Sequence, residues 1–182
     1  EISIFQLETA LEFHPKITAI MNITPDHLNR HHTMECYIQM KESITKNQTE
    51  TDLCVLNYED EALRKFGSEV QTQVVFFSSK RILEHGLYLD GDSIYCSIGG
   101  SSYEVVNVND LSLLGVHNYE NVMAAVGIAL GLQIPIEKIR EVLVRFQAVE
   151  HRIEYVTEKR GVKFYNDSKG TNPDAAIKAI RA

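Results

Sequence analysis

Three short runs in this chain are almost unbroken by polar side chains: ITAIMNI at 17–23, DLCVLN at 52–57 and VVFF at 74–77. A strand with one wet face alternates apolar and polar residues, whereas one covered on both faces does not. Helix-like segments separate the runs, and Thr33 is placed to cap one expected to reach about residue 47. Strand–helix–strand order needs crossover connections, so the pattern predicts an α/β fold with a mainly parallel sheet flanked by helices.

The character changes at 86–108, where Asp90-Gly91 and Gly99-Gly100 punctuate three β-rich runs. Those dipeptides suit tight turns and predict a small antiparallel meander. A helix then follows, with Asn118 as its expected N-cap and Gly131 as its stop. Pro135 opens another, in which Ile136, Ile139, Val142, Leu143 and Phe146 recur at helical spacing. Two further β-like runs flank Glu158-Lys159-Arg160-Gly161, and a last helix begins near Asn172-Pro173. A domain boundary is expected near Ala148, dividing 1–147 from 148–182.

The 182 residues suffice for one core and part of a second domain. A net charge of −7 argues against a nucleic-acid surface but leaves room for a local anion site. No apolar run is long enough to span a bilayer. Cys36, Cys54 and Cys96 are far apart and odd in number, which suggests neither a zinc site nor a disulfide framework. Cys54 and Cys96 read as small core residues of a reduced, cytoplasmic protein.

Several residues could carry chemistry. Asp26 and His27 follow the first apolar run, and the carboxyl ends of parallel strands are where open α/β sheets bind ligands. His27 is either a metal ligand or part of a capped turn. Lys41 is either a solvated helix charge or, as the neutral amine, able to add carbon dioxide and present two carbamate oxygens to magnesium. Glu1 and Ser3 are expected on one face of a strand, with Glu1 either a further hard-oxygen ligand or an ordinary strand-end carboxylate. Asn118 and Asn121 lie about one helical turn apart, so their amides can face one ligand. Asp167, Lys169 and Thr171 are expected to alternate along an extended loop that could hold a phosphate or carboxylate.

Taken in order, E-x-S-x-F-Q-L-E, N-I-T-P-D-H-L-N-R-H-x-T-M-E-x-Y-x-x-x-K, G-x-H-N-Y-x-N, V-E-H-R and N-D-S-K-x-T-N-P-D resemble the Mur ligase family over essentially the whole chain. F-Q-L-E and N-D-S-K-x-T-N are similar to its D-glutamate-adding branch. The resemblance implies a central ATPase domain followed by the start of a Rossmann-like C-terminal domain. It implies an ATP-dependent amide ligase of peptidoglycan synthesis, acting on UDP-N-acetylmuramoyl-L-alanine and D-glutamate through an acyl phosphate. ATP and Mg2+ would be its cofactors, and the full-length enzyme would be a monomer of the cytoplasm.

By the same resemblance, Glu1, His27 and a carbamylated Lys41 would hold magnesium, and Lys169 would lie near the reacting phosphoryl group. Asn118 and Asn121 would contact adenine, Arg152 the nucleotide, and Asp167 its ribose. Ser3 would lie near the UDP-sugar and Thr171 near D-glutamate. His117 and His151 fall inside the motifs with no role assigned. Four positions depart from the family: Ile4 for serine, Asn29 for aspartate, His32 for glycine and Gly170 for alanine. A glycine-rich phosphate loop should precede Glu1, so this chain by itself is expected not to ligate. The alternatives are a family member adding another amino acid, or a non-catalytic nucleotide-binding relative.

Overall fold

The computed structural model describes every residue except Asp26, His27, Ala148, Asn172 and Ala182, and leaves the side chains of Leu28 and Asp174 undescribed. Six strands form one sheet in sequence order: β1 (Ile17–Ile20), β2 (Leu53–Asn57), β3 (Gln73–Ser78), β4 (Gly86–Asp90), β5 (Ser93–Ile98) and β6 (Ser101–Asn107). β1 to β4 pair in parallel, and β4, β5 and β6 are antiparallel. The expected meander therefore continues the parallel sheet, joined to it where Phe77 and Ser78 pair with Leu87 and Tyr88.

A four-residue helix, α1 (Ile4–Leu7), precedes β1. Helices α2 (Leu28–His31) and α3 (Met34–Glu42) make the first crossover, and α4 (Glu61–Glu69) the second. Thr33 caps α3 as expected, its Oγ1 accepting the Cys36 N–H at 3.2 Å. Asp60 caps α4. Helices α5 (Val116–Gly131) and α6 (Ile136–Arg145) cover the other face of the sheet.

The alternation of side chains explains why the three runs are apolar throughout. Val55, Val75 and Phe77 face α5 in the main core with Leu87, Val122, Met123 and Val126. Their neighbours Cys54, Leu56, Val74 and Phe76 point the other way, onto Leu63 and Phe66 of α4. Period-two geometry thus feeds two cores from one strand. Phe77 is fully buried, and truncating such a side chain to alanine costs about 3–5 kcal/mol. Gly86 makes the β3–β4 join possible: its φ is +130°, and a Cβ there would collide with the Phe76 carbonyl oxygen. Cys54 and Cys96 are buried in these cores, and burial pushes the Cys54 thiol up to about 11.

Beyond α6, β7 (Glu154–Lys159) and β8 (Val162–Asn166) form a separate antiparallel hairpin, followed by α7 (Pro173–Arg181). The boundary expected at Ala148 lies outside the described residues.

Two expectations about local structure fail. Glu1 to Ser3 are not a strand: Ser3 is the N-cap of α1, locked in a capping box. Its Oγ accepts the Gln6 N–H at 3.3 Å, while its own N–H donates to Gln6 Oε1 at 2.7 Å. Asn118 does not cap α5, because the helix starts two residues earlier and Gly115, at φ +88°, takes that position.

Candidate functional site

The carboxyl end of β1, the start of α5 and the segments flanking the β7–β8 hairpin surround a cleft of about 500 Å³. Lys41 enters it from α3, and its Nζ donates to the Asn22 carbonyl at 3.1 Å. The same ammonium stands 5.1 Å above the Tyr37 ring, a cation–π distance. Lys41 also lines a second cavity of about 700 Å³, which runs along the open edge of β1 and includes Glu1 and Ser3. It therefore stands where the two cavities meet.

A lysine ammonium has three donors and no lone pair, so it ligates no metal in that form. Among the described residues no group of three His, Cys, Asp or Glu is placed to hold a metal ion. The donors present still suit a hard cation in kind: the Glu1 carboxylate, the Asn22 carbonyl and, once carbamylated, Lys41 all offer oxygen. His27, the other expected ligand, lies outside the described residues.

On α5 the two asparagines are coupled. Asn118 Nδ2 donates to the Leu114 carbonyl at 2.7 Å, and Asn121 Nδ2 donates to Asn118 Oδ1 at 3.3 Å. Asn118 thus anchors Asn121, and both residues line the cleft. His117 lines it too. Burial first, then the nearby Lys178 ammonium, holds its imidazole below the ordinary value, against the opposing pull of Glu120 and Asp167.

Arg152, Asp167 and Lys169 arrive from the other side. His151 and Ile153, on either side of Arg152, both have positive φ, +68° and +48°. For a β-branched residue such as Ile153 this is a strained conformation, and strain of this kind persists where surrounding bonds over-determine it. Here the Ile153 N–H donates to Asp167 Oδ1 at 3.1 Å, and the Lys169 N–H to the His151 carbonyl at 3.1 Å. The linker before β7 and the turn after β8 are thereby laced together. That turn is not the extended loop expected: the Gly170 N–H returns to the Asp167 carbonyl, and the Thr171 N–H to the Lys169 carbonyl.

Six of the expected residues therefore share one cleft: Lys41, Asn118, Asn121, Arg152, Asp167 and Lys169. Glu1 and Ser3 belong to the adjoining cavity, where the Ser3 hydroxyl is already engaged with Gln6. Thr171 lines neither. Glu120 and Lys178 line the cleft and were missed in the sequence. Glu120 sits inside H-N-Y-E-N, one helical turn after His117, and that spacing was the available signal. Lys178 had none stronger than its place on an amphipathic helix. No helix among the described residues is long and apolar enough to cross a membrane.

Comparison with known proteins bears on this geometry. The family model for the Mur ligase middle domain matches residues 1–129. The chain is 58% identical over all 182 residues to the UDP-N-acetylmuramoylalanine--D-glutamate ligases of Lachnoclostridium phytofermentans and Lachnospira eligens. It spans 40% of the length of each. Among solved structures, a pseudomurein peptide ligase type C from Methanothermus fervidus aligns over 99% of this chain and 43% of its own, at 20% identity and a TM-score of 0.72. MurF from Thermotoga maritima, determined in complex with ADP, aligns over 97% of this chain and 40% of its own, at 18% identity and a TM-score of 0.69. At those identities the structures establish the fold.

Proposed function

Because the chain belongs to the Mur ligase family, we propose that it is the nucleotide-handling part of an ATP-dependent ligase that adds D-glutamate to UDP-N-acetylmuramoyl-L-alanine. The observation that carries this reading is the single cleft on which Lys41, Asn118, Asn121, Arg152, Asp167 and Lys169 converge from four separate stretches of sequence. The identity to D-glutamate ligases over the whole chain supports the choice of amino acid.

In the proposed reaction the alanyl carboxylate attacks the γ-phosphorus of ATP, releasing ADP and forming an acyl phosphate. The amine of D-glutamate then attacks the acyl carbon, loses a proton, and the tetrahedral intermediate expels phosphate. Such chemistry rests on positioning and on neutralising phosphoryl charge. Asn121, steadied by Asn118, takes an edge of the adenine, since a side-chain amide offers one donor and one acceptor side by side. Asp167 accepts hydrogen bonds from the ribose hydroxyls. Arg152 and Lys169 bring cationic donors to the phosphate groups, Arg152 as a planar fork and Lys169 as a point charge. Glu1, His27 and carbamylated Lys41 would hold Mg2+, which when bound neutralises phosphate oxygens.

Residues 148–182 would open the C-terminal domain, with Thr171 on the D-glutamate side and Ser3 on the UDP-sugar side. The proposed setting is a cytoplasmic monomer without nucleic-acid or membrane partners.

Phosphate release by the full-length protein, measured with UDP-N-acetylmuramoyl-L-alanine and a panel of amino acids, tests the proposal. Stimulation by D-glutamate alone is the expected result, and indifference to D-glutamate overturns it. Lys41→Ala should abolish release, and short carboxylates that imitate a carbamate should restore part of it. Undiminished activity in that variant removes Lys41 from the metal site.

A further inference from the structure

Glu120 is a carboxylate in the wall of a cleft assigned to a polyanion, and this placement needs a reason. It lies between Tyr119 and Asn121 in the first turns of α5, and it lines the cleft beside both asparagines. Its position is held from the sheet: Ser79, just beyond the end of β3, donates its hydroxyl to Glu120 Oε1 at 2.6 Å. Among the described residues Ser79 is its one hydrogen-bond partner, so Oε2 is left as an acceptor. The charge is felt inside the cleft, where Glu120 pulls the His117 imidazole toward its protonated form.

A carboxylate repels phosphate, so the triphosphate must lie toward Lys41, Arg152 and Lys169, the cationic side of the same cleft. What remains for the Glu120–Asn121 end is the base. An ionised carboxylate accepts hydrogen bonds and donates none. At position 6 itself, 6-amino purines present N–H groups and 6-oxo purines present an acceptor, their proton being carried on N1. Asn121 alone cannot separate them, because its anchored amide carries both an oxygen and N–H groups. Glu120 offers acceptors only.

Resting on the proposed ATP-dependent ligase reading, we propose that Glu120 is the residue that selects a 6-amino purine, with Ser79 as the positioning residue that aims it. Oε2 accepts a hydrogen bond from the exocyclic amine of adenine. A 6-oxo purine would set its carbonyl oxygen against the carboxylate and leave both acceptors without a proton between them, a mismatch that binding sites reject strongly.

ATP and ITP differ only at position 6 and in the proton that the 6-oxo base carries on N1, which makes them the probe. The kcat/KM for each is measured in the full-length ligase with D-glutamate and the UDP-sugar substrate. Wild type should prefer ATP. Glu120→Gln, whose amide can turn its N–H groups toward a carbonyl, should cut the ATP/ITP ratio by about tenfold or more, partly through a gain on ITP. Glu120→Ala should lower the ratio through loss on ATP, and Ser79→Ala should lower it by an intermediate factor. A variant that folds poorly loses activity on both nucleotides alike and leaves the ratio unmoved, so the ratio reads base selection alone. A ratio within twofold of wild type in both Glu120 variants overturns the assignment. Absence of D-glutamate-dependent turnover in wild type would instead overturn the ligase reading beneath it.

Discussion

The Asp60 carboxylate ties the end of β1 to the start of α4: its Oδ2 accepts the Ile23 N–H at 2.7 Å, while Oδ1 accepts those of Ala62 and Leu63 at 3.0 and 3.2 Å. One side chain thus caps a helix and holds the strand end from which Asn22 meets Lys41. Asp60→Ala removes the cap and leaves the Ile23 N–H without this acceptor, so unfolding free energy should fall by about 1–2 kcal/mol. Urea denaturation measures it. A loss below about 0.3 kcal/mol would show that water replaces the carboxylate at both places.

His32 occupies the left-handed region at φ +64°, at the turn between α2 and α3 where the resemblance to the family motif leads to an expectation of glycine. The side chain is exposed and forms no part of either core. An L-residue held there is strained by roughly 1–2 kcal/mol, from which the greater unfolded-state freedom of glycine subtracts. His32→Gly should therefore stabilise the chain by up to about 1 kcal/mol, seen as a higher urea midpoint at unchanged slope. A lower midpoint would mean that the imidazole makes a contribution larger than the backbone strain.

The parts of the fold that could be read from sequence are those fixed by local pattern. Residues 17–20 and 53–57 are legible as doubly covered strands because Cys54 and Leu56 enter one core and Val55 the other. Thr33 is legible as a cap because the bond to Cys36 spans three residues. Ser3 was misread although its signal was present: S-x-x-Q is a capping box, and alternating apolar residues around it mimicked a strand. Asn118 was misread because a side chain that bonds four residues back, to Leu114, looks in sequence like one that caps forward. The joining of the meander to the parallel sheet depends on β3 meeting β4, and nothing within either run encodes that meeting. The cleft is the least local feature of all. Lys41 and Arg152 share it through tertiary packing, so only the ordered set of motifs hinted that they would meet.

Asp52 is nearly fully buried, and its carboxylate is met by His14 Nε2 at 2.8 Å, Lys16 Nζ at 2.9 Å and the Thr49 N–H at 2.7 Å. The hydrogen bond with His14, then those with Lys16 and Thr49, hold its pKa far below the ordinary 3.8, outweighing the opposing effect of burial. Because the folded value lies below the unfolded one, Asp52 contributes its full stabilisation above about pH 4 and loses it as pH falls through the folded value. The urea midpoint should decline as pH is lowered from 5 toward 2, and Asp52→Asn should make that acid decline shallower while lowering stability at pH 7. An acid limb of unchanged steepness in Asp52→Asn would assign the acid sensitivity to other carboxylates, such as Glu59, whose pKa is also lowered.

Gly170 is the departure with the most direct bearing on the cleft. A Cβ at this position would collide with Asp167 Oδ2, and Asp167 Oδ1 is engaged with the Ile153 N–H. Alanine here must turn the Asp167 carboxylate, which loosens its hold on the strained Ile153 and shifts the group proposed to meet the ribose. The displaced atom is a side-chain end rather than backbone, so the fold tolerates the change and the effect concentrates in nucleotide affinity. In the full-length protein Gly170→Ala should raise the KM for ATP several-fold with little change in kcat or in the urea midpoint. The comparison with 2′-deoxy-ATP sharpens the assignment: if Asp167 acts through the ribose hydroxyls, wild type should discriminate against the deoxy nucleotide and Gly170→Ala should discriminate less. Equal discrimination by the two proteins would separate Asp167 from the ribose and leave it as a brace for the linker at Ile153.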